Sequence, residues 1–180
     1  MGILPAILKR KSIRHYSRRD IEDDKLRRVL EAARLAPSAK NRQEWKFIVV
    51  KDNELKQKLV KAAKEQKFVG EANVVIVACG TQPDYIMTCG QPAYTVDIAI
   101  AVEHMALQAA EEGLGSCWIG AFYEDEVKEI LGIPQNVRVP CMLTLGYPAT
   151  EMLSKPRKFC CQRKKLEEIV YKDRWGKQLD

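Results

Sequence analysis

An α+β fold, rather than a doubly wound parallel one, is what this sequence predicts, and three observations lead there. Four strand-like runs are intermixed with helical segments instead of alternating regularly with them. No Gly-x-Gly-x-x-Gly follows any strand, so a Rossmann dinucleotide site is unsupported. The stretch from Tyr94 to Phe122, YTVDIAIAVEHMALQAAEEGLGSCWIGAF, reads as a long buried helix, a tight glycine turn and a short strand. At 180 residues, 46% of them hydrophobic and 30% charged, the chain is large enough for one globular domain, residues 1–180, with a real core.

Taken in order, Pro5 to Leu8 is a short helical turn, and KRKSIRHYS after it is extended. Residues two apart share a face in extended chain, so Arg10, Ser12 and Arg14 point the same way and form a plausible phosphate clamp. Taken alone, such a basic run is more often a solvated surface. Asp20 is placed to cap a helix over about Glu22 to Ala36, with Leu26, Val29, Leu30 and Ala33 as its inward stripe. Pro37 ends that helix. PSAKNRQEW is then a polar loop whose Ser38, Asn41 and Gln43 suit ligand contact or simple bonding to their own backbone.

KFIVVK, Lys46 to Lys51, is a strand, followed by an amphipathic helix from about Asn53 to Gln66. NVVIVAC, Asn73 to Cys79, is apolar on both faces and therefore a buried strand. Gly80 to Pro92 is an irregular loop, a candidate lid. The central helix covers Thr95 to Glu112, about 27 Å at roughly 1.5 Å per residue. Gly113 and Gly115 end it, and SCWIGAF follows with Cys117 and Ile119 on one face and Trp118 on the other. A short helix over Tyr123 to Leu131 is closed by Gly132 and Pro134. Val137 to Tyr147 is the last strand, broken near Pro140, and the tail beyond it is polar and basic.

Composition excludes several classes. No apolar run reaches the ~18 residues of a membrane span. MGILPAILKRK is too short, and its charge lies on the wrong side, for a signal peptide; Ala6 fails the myristoylation pattern. A cytoplasmic protein is the expectation. The six cysteines form no Cys-x-x-Cys pair, and His15 and His104 have no partners at metal spacing, so buried thiols are expected and no metal site. The net charge of +6 favours anionic partners. Nucleic acid is one of these, but no helix-turn-helix, zinc-finger or RNA-recognition motif is present.

Particular motifs go further. RKSIRHYS, EAARLAPSAKNRQEWKFIVV, DIAIAVEHMALQAAEEGLGSCWIGAF, LGIPQNVRVPCMLTLGYPA and KKLEEIVYKDRW stand in order along nearly the whole chain. Together they resemble the nitroreductase family of FMN-dependent oxidoreductases. The resemblance implies an α/β/α sandwich with a central, mainly antiparallel sheet. It further implies an intertwined homodimer with FMN at the subunit interface. Arg10 and Ser12 would hold the FMN phosphate, Lys11 would line that end, and Arg14 would approach the pyrimidine edge of the flavin. Pro37, Ser38 and Asn41 would come from the second subunit. Trp118, Ile119 and Gly120 would lie along the isoalloxazine. Arg163 and Lys164, or alternatively Arg157 and Lys158, would return to the phosphate. Two departures stand out: Lys165 replaces the family's usual proline in the tail, and Glu44 replaces it before Trp45. The implied activity is ping-pong transfer of hydride from NAD(P)H, through flavin N5, to a nitroaromatic, quinone or similar acceptor. No catalytic side chain is singled out, and a non-catalytic FMN-binding role is the alternative.

Overall fold

Runs of β-branched and apolar residues assemble one antiparallel sheet in the computed structural model, which describes residues 2–149 and 163–178 in two units divided after residue 150. Its strands are β1 (Trp45–Val50), β2 (Val74–Gly80), β3 (Gly115–Ile119) and β4 (Arg138–Gly146), in the order β1-β2-β4-β3. Each neighbouring pair is antiparallel. β2 is central and buried along its whole length, which is why it lacks polar alternation.

The two faces of β2 serve different layers. Val75, Val77 and Cys79 pack with α3 (Asn53–Ala62), α4 (Phe68–Glu71) and α6 (Glu124–Leu131). Val74, Ile76 and Ala78 pack with α2 (Asp23–Arg34) and α5 (Ala93–Glu111). A short helix, α1 (Pro5–Lys9), lies on α5, with Lys9 Nζ 3.3 Å from the Glu111 carboxylate. The result is an α/β/α sandwich. Cys117 and Ile119 fall in the first layer and Trp118 in the second, as the alternation predicts.

The α5 helix spans the sheet through Ile98, Val102, Met105 and Ala109, all buried. Val96 and Ala99, apolar but turned away from the sheet, are exposed. Gly113 ends the helix at φ 74, the left-handed value that a Cβ resists.

Four local expectations are corrected. Glu22 rather than Asp20 stands at the N-cap of α2, because its carboxylate is held by Arg19 and Tyr147 and Ile21 before it is buried. The helix α3 stops at Ala62, since Lys64 and Glu65 turn to φ 55 and 57 and lead into α4, whose four residues are too few to show a period. Gly80 belongs to β2 rather than to the following loop. Finally, β4 is continuous through Pro140 and absorbs it as a bulge: Ala78 pairs with Cys141 but Gly80 with Arg138. The Val139 amide donates to Glu124 there, at 2.7 Å.

In the second unit, Leu166–Glu168 form a 3-10 turn closed by the Lys165 amide donating to Glu168 Oε1 at 2.7 Å. Tyr171 and Trp175 meet edge to face, 5.1 Å between centroids. No described helix is long and apolar enough to cross a membrane.

Candidate functional site

The free edge of β3 organises the site. β4 occupies one edge, and the basic segment before α2 docks on the other: Ser12 bridges Ser116 in parallel, and the Ile13 amide donates to the Ser116 carbonyl at 2.8 Å. Gly115 makes this approach possible, because a Cβ there would stand 2.7 Å from Ile13 Cγ1. A buried network then locks the segment. The Tyr16 hydroxyl donates to the Ile13 carbonyl at 2.8 Å and lies 2.7 Å from Thr144 Oγ1, which in turn reaches the Cys117 carbonyl at 3.2 Å. Burial pushes the Tyr16 phenol far above its ordinary range, so it stays a neutral donor.

Docked this way, Ser12 sits one strand away from Trp118, Ile119 and Gly120. The two arginines do not share its direction. Arg10 is the C-cap of α1, its amide bonded to the Ala6 carbonyl, and that breaks the two-residue alternation. Its Nε lies 3.6 Å from Glu103 on α5, whereas the Arg14 guanidinium lies 5.9 Å from the Phe68 ring centroid of α4. Lys11 is exposed. The expected single-faced clamp is therefore open, with one cation toward each helical layer. Ile119 is 2% exposed and has only its backbone to offer.

Pro37 is exposed, and Ser38 and Asn41 lie in the loop after it, which is built more firmly than its polarity suggests. Ser38 Oγ accepts the Gln43 amide at 3.0 Å, and Gln43 Nε2 donates to Asn41 Oδ1 at 3.1 Å. Asp97, 6% exposed on α5, accepts the Ala39 amide at 3.0 Å. These bonds hold Lys40, Asn41 and Gln43 at φ 52, 54 and 53. That region costs a residue with a Cβ roughly 1–2 kcal/mol. Asp97 is not among the residues that the motifs single out; its signal in the sequence is an acid inside an apolar helical run, between Val96 and Ile98. Glu44, in place of the usual proline, spans to the next loop: its carbonyl accepts the Thr81 amide at 3.1 Å and its carboxylate pairs with Arg42. Among the described residues, no hydrogen bond or ion pair joins this loop to the 10–14 segment. Arg163 and Lys164 are exposed in the second unit, and Arg157 and Lys158 lie outside the described residues.

What the β3 edge could hold follows from what its own chain leaves open. Apart from Gly2, every other glycine is either crowded, so that a Cβ would collide, or turned to positive φ. Gly120 is neither: a Cβ there meets nothing within 4 Å. Its bareness serves no intramolecular packing and leaves the end of β3 approachable by a flat group. Two residues earlier, the half-buried Trp118 packs into the α2/α5 layer, its indole N–H buried without a hydrogen-bond partner among the described residues. Exposed peptide at Gly120 and hydroxyl and cationic groups at Ser12, Lys11 and Arg14 fit an aromatic ring system carrying an anionic tail.

Comparisons with known proteins agree. The sequence matches the family model described as Nitroreductase family over residues 7–71 and 61–147. It is 38% identical over 152 residues to an Archaeoglobus fulgidus protein provisionally named NADH dehydrogenase/NAD(P)H nitroreductase, covering 82% of this chain and 86% of that one. It is 29% identical to the FMN reductase [NAD(P)H] of Bacillus subtilis, over 86% of this chain and 69% of the relative. The crystal structure of a nitroreductase family protein from Clostridium difficile superposes with a TM-score of 0.84 at 33% identity, over 97% of this chain and 99% of that one.

Proposed function

The chain belongs to the nitroreductase family, and we propose that it is an FMN-dependent oxidoreductase taking hydride from NAD(P)H and delivering it to a nitroaromatic, a quinone or a similar small acceptor. The observation that carries this reading is the bare, exposed Gly120 just past the end of β3, the strand on whose edge Ser12 docks. FMN, when bound, supplies the hydride chemistry. The chain's own residues bind and orient it. Ser12 and Arg10 take the phosphate with Lys11 at that end, and swinging Arg10 from Glu103 to a phosphate exchanges one anionic partner for another. Arg14 supplies a fixed cation toward the flavin's pyrimidine edge, where preorganised positive charge favours the reduced, anionic state. Trp118, Ile119 and Gly120 support the ring.

The same reading takes the whole chain as one domain that works as a homodimer in the cytoplasm. Pro37, Ser38 and Asn41 would then close the site from the second copy, which accounts for their lack of bonds to the 10–14 segment. Free thiols at Cys79 and Cys141, both buried, suit a reducing compartment. Donor and acceptor use one place in turn. Initial rates varied in both NADPH and a nitroaromatic should therefore give parallel double-reciprocal lines; intersecting lines would reject the single shared place.

A further inference from the structure

Two loops meet at Tyr85, and their meeting places a cation that nothing so far has used. The Arg42 guanidinium lies 4.4 Å from the Tyr85 ring centroid and pairs with Glu44. Lys40 also faces this ring, its ammonium 5.8 Å from the centroid. The two cations differ in their balance. Arg42 has a carboxylate partner, whereas Lys40 has none among the described residues and is exposed. Arg42 and Glu44 thus fix the aromatic plate, and Lys40 is left as a free charge at its side.

Lys40 is not a lysine on a slack turn. Its backbone is held at φ 52, ψ 25 by the bond from the Ala39 amide to the buried Asp97 and by the Gln43 amide bond to Ser38. A strained conformation bonded into place from both sides is a common mark of a positioned group. Lys40 also stands between Ser38 and Asn41, the residues that close the proposed flavin site.

We propose that Lys40 determines acceptor specificity, selecting oxidised aromatic acceptors that carry a carboxylate over their neutral counterparts. Tyr85 offers the flat contact and Lys40 the charge. The assignment rests on the proposed flavin site. It leaves the net reaction as it is for this class: Ar–NO2 with NAD(P)H and a proton gives Ar–NO, NAD(P)+ and water.

The test compares 4-nitrobenzoate with 4-nitrobenzamide on the FMN-loaded enzyme, as the ratio of their kcat/KM values. Because one enzyme turns over both, differences in flavin content between variants cancel. In the wild type the ratio should favour the carboxylate and fall with added salt, as a screened charge contact does. Lys40→Gln should lower it about three- to fivefold, the scale of an exposed ion pair. Lys40→Glu should lower it further, by about tenfold or more. A ratio unchanged across the three proteins, with NADPH still bleaching the flavin, overturns the role of Lys40 alone. A wild-type protein that neither binds FMN nor oxidises NAD(P)H overturns the flavin reading and this assignment with it.

Discussion

Single side chains here carry separable duties, and substitutions can tell them apart. Gly120→Val adds a branched side chain where its first carbon meets nothing, so the melting temperature should stay within about 2 °C of wild type while FMN affinity drops at least about tenfold. A drop in both would mean that the position is structural. Arg14→Ala should weaken FMN retention and flavin reduction together; both unchanged would remove Arg14 from the site. Asp97→Ala removes a buried carboxylate from the Ala39 amide and should cost about 1.5–3 kcal/mol in denaturant unfolding. Glu22 shows how surface charge tunes acid stability. The Tyr147 hydroxyl donates to its carboxylate at 2.6 Å, Arg19 donates to its other oxygen, and its pKa falls from 4.5 to about 2. A depressed folded value contributes stability that is present above pH 4.5 and is lost as pH falls toward 2. Tyr147→Phe should therefore shrink the difference in unfolding free energy between pH 7 and pH 2, read by circular dichroism in urea.

At the scale of elements, the decisive contact is the docking of the basic segment on β3. Tyr16 welds it, bonding Ile13 within the segment and Thr144 on β4. Tyr16→Phe strands buried acceptors and should cost about 1–3 kcal/mol, with FMN released at lower denaturant than that at which the chain unfolds. If FMN loss and unfolding coincide in both proteins, the segment does not open independently. Much of this layer was legible in sequence. Thr95–Glu112 read as a mostly buried helix, which holds except where Val96 and Ala99 face outward, and Gly113 and Gly115 announced its end and the strand behind it. The parts that were not legible depend on partners far away in the chain. Glu22 caps α2 because Tyr147, 125 residues on, holds its carboxylate. The alternation that aligned Arg10 with Arg14 fails because α1 claims Arg10 as its last cap, a short-range hydrogen bond that period-two counting ignores. Pro140 reads as a break, yet a bulge across from the Ala78–Gly80 step absorbs it.

Across the larger unit, the described residues expose an apolar face. Leu4, Ile7 and Leu35 are 68%, 49% and 64% exposed along a groove between α1, α2 and α5. An exposed apolar patch of this kind is where the proposed second copy would sit. The combined Ile7→Glu and Leu35→Glu variant should sediment as a monomer near 20.5 kDa and lose FMN, while the wild type sediments at twice that mass. A doubly substituted protein that stays dimeric would place the interface elsewhere. The central claim, however, is the flavin and its reduction. It is tested most directly by the absorbance spectrum of the purified protein, taken without oxygen before and after NADPH and, separately, NADH. Oxidised-flavin bands that bleach with either nucleotide are the predicted result; a colourless protein that also refuses added FMN would contradict it.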